Sequence, residues 1–206
     1  MNTPTLKTQR LILRKFNDND LKALYEILSD KEVNQFLPWF PLKNLDEAKI
    51  FYQERYVPIY QKEQGYAYAI CLKENNLPIG YVNVEIPDAN ELGYGLKKEY
   101  WHQGIVSEAA EAVIKQAKKD GICYITATHD IKNIHSGNVM KKIGMHYCYS
   151  YKEVVMPKNI PVIFRMYQIN LDGKKRIYQK YWNQYLLKKI FKRQVLTNLS
   201  FFLNND

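Results

Sequence analysis

The sequence predicts an α+β domain built on a mixed, mostly antiparallel sheet with one parallel strand-helix-strand crossover. Two observations carry this. Three strand-like runs, Tyr66 to Leu72, Ile79 to Ile86 and Glu91 to Leu96, follow one another through short turn-rich connections, the pattern of an antiparallel meander. A long amphipathic helix and a further strand, Ile122 to Thr128, come next. A strand-helix-strand connection within one sheet is right-handed and makes its two strands parallel.

The remaining elements fall around this centre. Arg10 to Phe16 alternates apolar and charged residues with the period of a strand. Asn17-Asp18-Asn19-Asp20 then supplies capping oxygens for a helix over LKALYEIL. Leu37-Pro38-Trp39-Phe40-Pro41 breaks the helical pattern, and a second helix is expected from Asn44 to about Lys62, with Asp46 and Glu47 near its positive end. In the crossover helix, Ser107 to Lys119, Ala109, Ala110, Val113, Ile114 and Ala117 share one face, and Gly121 stops it. A helix from Ile134 to Ile143, closed by Gly144, and strands Met145 to Val155 and Val162 to Leu171 complete the order β, α, α, β, β, β, α, β, α, β, β.

With 206 residues, 46% hydrophobic and 25% charged, the chain suits one well-buried domain with an appendage. Its formal net charge of +9 is uneven: residues 173–206 hold eight Lys or Arg against one acid, leaving 22 bases and 20 acids in residues 1–172. A nucleic-acid-binding body is not suggested by that division, nor is a membrane span by any apolar run. Cys71, Cys123 and Cys148 are odd in number, far apart and set in apolar runs, so they read as buried free thiols and point to a reducing cytoplasm. His129 and His135, with Asp130 between them, lack the spacing of a metal site and read as solvated or capping residues; no metal is expected.

The chemistry is read from YWHQGIVSEAA, residues 100–110. A glycine directly before a helix aims unpaired backbone N–H groups and a positive dipole end at one point, and such a point binds phosphate. Gly104 leaves room for close approach, and the Ser107 hydroxyl can add a donor. Neither G-x-x-x-x-G-K-S/T nor G-x-G-x-x-G is present, so the site is neither a nucleotide-hydrolase loop nor a dinucleotide fingerprint.

These residues resemble the acetyl-CoA-binding motif of the GNAT superfamily of N-acetyltransferases, in the form common to its ribosomal-protein N-terminal acetyltransferase subgroup, Y-W-G-x-G-x-A-T/S-E-A. Tyr100, Trp101, Gly104, Ser107, Glu108 and Ala109 match, while His102 stands at the first glycine and Val106 at the small residue. Asn133 to Met145 is similar to the family's N-x-x-S-x-x-v-x-x-K-x-G-F/M motif, and with TQRLILRKF and ELGYGL the resemblance covers roughly residues 8 to 171.

The resemblance implies the GNAT fold, with coenzyme A in a V-shaped cleft between the strand ending at Leu96 and that at Ile122 to Thr128. The N–H groups of Gln103, Gly104, Ile105, Val106 and Ser107 would hold the pyrophosphate, and the backbone around Leu96 and Lys97 would pair with pantetheine. It implies direct transfer of acetyl from acetyl-CoA, the cosubstrate, to a primary amine. Glu91 is the expected base, with a solvated strand residue as its plainer reading. Ser136 is the expected donor to the departing sulfur and, with Asn133, an expected contact of coenzyme A; helix capping is the plainer role of both.

The expected acceptor is a protein or peptide N-terminal amine, with a small amine such as an antibiotic or polyamine as the alternative. The readings from another class are a non-catalytic acyl-CoA-binding module and an RNA-associated protein using its basic tail. Phe36, Trp39 and Phe40 are expected either as an aromatic lip of the acceptor cleft or as core. The expected division is an acetyltransferase domain over 1–172 and a basic amphipathic helical extension over 173–206, where Ile177, Tyr178, Tyr181, Trp182, Tyr185 and Leu186 recur at helical spacing. It is expected to pack on the domain itself or to pair two copies as a homodimer, with ribosomal RNA or an anionic membrane surface as second-choice partners.

Overall fold

A computed structural model describes residues 2–184 of the chain. Strands β1 (Leu6–Lys7) and β2 (Leu11–Arg14) open it. Asn17 then starts a short 3-10 turn: its side chain accepts from the Asn19 N–H, and Asp20 accepts from the Asn17 N–H at 2.9 Å. Both Asp20 oxygens are also held by the Arg14 guanidinium, at 2.6 and 3.0 Å. Helix α1 (Leu21–Ser29) follows and buries Leu24, Ile27 and Leu28.

The single helix expected to about Lys62 is broken into α2 (Leu45–Arg55) and α3 (Val57–Tyr60). Pro58 explains the break, since it lacks an N–H and its ring opposes the carbonyl one turn back. Strands β3 (Tyr66–Leu72), β4 (Pro78–Glu85) and β5 (Glu91–Leu96) form the meander. Then come α4 (Ile105–Lys119), β6 (Tyr124–Asp130), α5 (Ile134–Lys142), β7 (His146–Val155) and β8 (Ile160–Asn170). They lie in one sheet in the order β1-β2-β3-β4-β5-β6-β8-β7. Its one parallel pair is β5 with β6, the pair joined through α4.

Both faces of the sheet are covered, so β3 is buried almost throughout its length. Its large residues Tyr66, Tyr68 and Ile70 share a core with Ala109, Ala110 and Val113 of α4 and Met140 of α5. Its small residues Ala67, Ala69 and Cys71 face the other way, against Leu24, Ile27 and Leu28 of α1 and Tyr56. Alternating side-chain size along one strand thus sets how closely each helical layer approaches.

Of the three free thiols only Cys71 is buried; Cys123 is exposed and Cys148 is partly so. Cys123 falls in the turn before β6, and Cys148 sits where the β7 register shifts between Tyr147 and Tyr149. Among the described residues no helix is long and apolar enough to cross a membrane. After β8 the chain is irregular to Gln179 and helical over 180–184. The expected helix therefore starts later than Ile177: the Tyr178 N–H donates to the Gln168 side chain and its carbonyl accepts from the Tyr149 hydroxyl, so neither is free for a helical ladder. Tyr185, Leu186 and the rest of that expectation lie outside the described residues.

Candidate active site

The parallel strands β5 and β6 are in register at a single pair, Glu91 opposite Thr126. Beyond it they part, and the sheet has an opening. The residues of β5 that face this opening follow from its ladder with β4. Lys97 donates its N–H to the Ile79 carbonyl at 2.9 Å, so alternate residues turn their backbone groups away from β4: Tyr94 and Leu96. Lys97 is thus not on that edge, because its carbonyl is also engaged, by the Tyr100 N–H at 3.1 Å. The Leu96 carbonyl accepts from the Trp101 indole N–H at 2.8 Å, which folds the following loop back onto the strand end.

That loop leads to the mouth of α4. Gly104 caps the helix with φ +74°, a left-handed conformation that glycine adopts without a side-chain penalty. The N–H groups of Ile105, Val106 and Ser107 have no carbonyl behind them in the helix and face outward. Ser107 is 4% exposed and belongs to the buried face of α4. Two cations overhang the mouth: Lys142 Nζ and Arg10 Nη2 lie 3.4 and 3.8 Å from where a Cβ on residue 104 would stand.

Arg10 also holds the loop in shape. Its Nη1 donates to the Gln103 carbonyl at 2.9 Å, its Nε donates to Glu108 Oε2 at 2.7 Å, and its backbone N–H donates to Glu108 Oε1 at 2.9 Å. The Thr8 hydroxyl adds a fourth bond, to Glu108 Oε1 at 2.6 Å. Partial burial pushes the Glu108 carboxyl up, but the Thr8 and Arg10 donors outweigh it and hold the group below its usual range. His102, at the position of the family glycine, takes φ +61° and meets His135 of α5 edge to face with ring centroids 4.9 Å apart.

On the far bank, Asn133 caps α5, its side chain accepting from the Ser136 N–H at 3.2 Å. The Ser136 hydroxyl lies 3.0 Å from the Tyr94 hydroxyl, which also reaches the Ser136 carbonyl at 3.0 Å. Burial raises the Tyr94 phenol above its ordinary range, so it stays protonated. Tyr94 thus ties β5 to α5 across the opening. His129, expected to be solvated or capping, is instead buried at 5% exposure. Its Nδ1 lies 2.8 Å from the Asp130 carbonyl, and its Nε2, against Gly137, has no partner among the described residues.

Glu91 lies on the opposite face of β5 from Tyr94, and both of its oxygens accept hydrogen bonds. Thr128 Oγ1 of β6 donates to Oε1 at 2.6 Å and the Tyr181 hydroxyl to Oε2 at 2.7 Å. The carboxylate lines a cavity of about 860 Å³. Glu54, Glu85 and Glu153 share that lining with Arg55 and Lys62, leaving an acidic balance on aromatic walls. Phe36 and Trp39 belong to the rim, where Trp39 packs edge-on against Phe51 at 5.4 Å; Phe40 points to solvent with 59% exposure. The rim is braced by Lys158, whose ammonium donates to the Leu37 carbonyl at 2.7 Å.

Sequence reasoning missed five residues here. Arg10 and Lys142 stood inside motifs already singled out, TQRLILRKF and the N-x-x-S repeat, but nothing in a linear pattern brings them over one helix mouth. Thr128, Tyr94 and Tyr181 carried no signal of their own, since their role depends on what the sheet places opposite them.

An open mixed sheet with a helix mouth at its parting strands defines an acyl-CoA-dependent transferase. The sequence matches the family described as acetyltransferase (GNAT) domain over residues 10–146, and the chain belongs to it. It is an N-acetyltransferase that uses acetyl-CoA. It is 29% identical over 144 residues to the uncharacterized N-acetyltransferase YnaD of Bacillus subtilis, covering 68% of this chain and 81% of that one. The fold is shared with a GNAT-family acetyltransferase from Bacillus anthracis, with a TM-score of 0.72 and 25% identity over 82% of this chain and 100% of the other. It is shared also with RimL, a ribosomal L7/L12 alpha-N-protein acetyltransferase solved with coenzyme A, at a TM-score of 0.71 and 19% identity over 83% of this chain and 100% of the other.

Proposed function

We propose that the protein acetylates the N-terminal amine of a protein or peptide, as the ribosomal-protein subgroup does, with Glu91 as the base and the Ser136–Tyr94 hydroxyl pair as the donor to the departing sulfur. The observation that carries this is the place of Glu91: a carboxylate at the one residue where β5 and β6 pair, lining the cavity, while the helix mouth follows the other end of the same strand.

In this reading the unpaired amides of residues 103–107, Arg10 and Lys142 hold the diphosphate, and the Tyr94–Leu96 edge lies along the pantetheine arm. Glu91 takes a proton from the acceptor ammonium, directly or through one water, and leaves a neutral nitrogen. That nitrogen forms a bond to the thioester carbon as the carbon–sulfur bond breaks. The hydroxyl pair then supplies the sulfur with a proton and regains one from the acylated nitrogen, which must lose it to become an amide; amide and free thiol are the products, and the proton on Glu91 leaves to water.

The acidic balance of the cavity favours a cationic acceptor before it is deprotonated. Its size, about 860 Å³, leaves room for the first residues of a peptide.

The test is incubation of the full chain with acetyl-CoA and a panel of N-terminal peptides and small amines, following thiol release and locating the acetyl group by mass spectrometry. Acetylated peptide α-amines are expected. Turnover of small amines alone overturns the acceptor class, and coenzyme A binding with silence across the panel favours the non-catalytic module.

A further inference from the structure

We propose that Tyr181, carried by the segment that follows the sheet, is a positioning residue for Glu91, fixing the carboxylate so that its free lone pairs face the acceptor. This rests on the reading of Glu91 as the base. The contact lies far outside the residues 10–146 that match the family.

The segment is built to deliver this hydroxyl. Gln168, 3% exposed on β8, donates its side-chain N–H to the Arg176 carbonyl at 2.8 Å and accepts from the Tyr178 N–H at 2.8 Å. Asn170 adds a bond to the same Arg176 carbonyl at 3.1 Å, and the Tyr149 hydroxyl donates to the Tyr178 carbonyl at 2.6 Å. Lys180 pairs with Asp88 in the turn between β4 and β5. One side of the segment is thus held by the β7–β8 hairpin and the other by the turn leading into Glu91.

Within that frame the Tyr181 ring stacks on Tyr151 of β7, with centroids 5.1 Å apart and planes 16° from parallel, which leaves the hydroxyl no other direction than the Glu91 carboxylate. Burial first, and then Glu91, raise the Tyr181 phenol, so it is a donor at every working pH. A carboxylate has about four acceptor sites; Thr128 and Tyr181 fill one on each oxygen and leave the others for an ammonium or a water. A glutamate has three rotatable bonds, and a base is effective only within a narrow geometry, so two opposed hydroxyl donors are what hold it there.

The test is a double-mutant cycle in the full chain, using acetyl-CoA and a pool of peptides with free α-amines. Tyr181→Phe keeps the ring and removes the hydroxyl. It is expected to lower kcat roughly tenfold, as loss of a charge-assisted hydrogen bond does, with KM for acetyl-CoA unchanged. In the Glu91→Gln background the same change is expected to have less than a twofold effect, because a residue acting through Glu91 has nothing left to position. Thr128→Val, which acts on the other oxygen, is expected to follow the same non-additive pattern.

An equal loss in both backgrounds, or Tyr181→Phe at wild-type kcat beside an inactive Glu91→Gln, overturns the positioning role alone. A fully active Glu91→Gln removes the base assignment and this inference with it. Proton NMR of the full chain reads the contact without turnover: a downfield hydroxyl resonance is expected that Tyr181→Phe abolishes and Glu91→Gln shifts. A spectrum that neither variant changes overturns the contact.

Discussion

Arg10 and Glu108 meet at 2.7 Å between the guanidinium Nε and a carboxylate oxygen, joining the turn between the first two strands to the first turn of α4. The sequence motif makes Glu108 look like part of the cofactor site. Its carboxylate instead faces Thr8 and Arg10, and through Arg10 it fixes the Gln103 carbonyl. The shape of the helix mouth is therefore set by contacts behind it, and its amides are left for a ligand.

Glu108→Gln is expected to destabilise the fold by about 1 kcal/mol near neutral pH, a modest figure because the Arg10 side chain is 44% exposed. The carboxyl is held below its unfolded value, so its contribution is present above about pH 4.3 and is lost as pH falls through the folded value. Denaturant unfolding of both proteins from pH 3 to 7 checks this: the stability gap should close on the acid side. A gap that is constant with pH would show the carboxylate charge to be idle.

Gly104→Ala places a side chain at φ +74°, where an L-residue loses about 1–2 kcal/mol. The new Cβ meets Lys142 and Arg10 only at ordinary contact distances, so backbone strain and obstruction of the mouth are the expected effects. A lower melting temperature and a weaker coenzyme A affinity, by roughly tenfold, are expected from calorimetry. Unchanged affinity would place the diphosphate elsewhere.

How much of this was readable varied with the range of the interaction. The strand-helix-strand crossover and Glu91 to Leu96 as a strand were legible because periodicity and turn residues are local. Asn133 was legible as a cap for the same reason. The break at Tyr56 was available in Pro58 and was missed by weighing the helical pattern above it. The turning of Lys97 away from the open edge, the burial of His129 and the reach of Tyr181 to Glu91 were not legible, because each is decided by what another element places opposite. Both His102 and Gly104 are left-handed, yet only the glycine announces it in the sequence.

His129 gives a pH prediction of the opposite chemistry. Burial lowers its imidazole below the usual value, and its Nε2 is buried with no partner among the described residues, so a second ring proton would meet no acceptor there. The unfolded chain therefore binds a proton more readily than the folded one. Stability is expected to be full above about pH 6.5 and to fall as pH drops from there toward the folded value. His129→Gln should remove that slope between pH 5 and 7 in denaturant unfolding.

Two glycines two residues apart on β5 should respond differently to alanine. At Gly95 a Cβ would stand 2.6 Å from the Tyr81 ring, whereas at Gly93 it would meet nothing within 4 Å. Gly95→Ala is expected to cost about 1–3 kcal/mol by overpacking, and Gly93→Ala to be neutral or slightly stabilising. Thermal melts of the pair check whether Tyr81 has space to retreat into the cavity.

Truncation after Asp172 tests whether residues 173–206 are an extension seated on a complete domain. The eight strands and helices α1 to α5 all precede the cut, so the shortened chain is expected to fold. It loses the Arg176 and Tyr178 partners of buried Gln168 and the ring that stacks on Tyr151, and each buried polar group left unmet costs about 1–3 kcal/mol. A melting temperature lower by several degrees, with coenzyme A binding retained, is the expected result. Sedimentation of both forms separates the two ways the extension could act. A dimer that becomes a monomer assigns it to a second copy, and an unchanged size with reduced stability assigns it to its own domain.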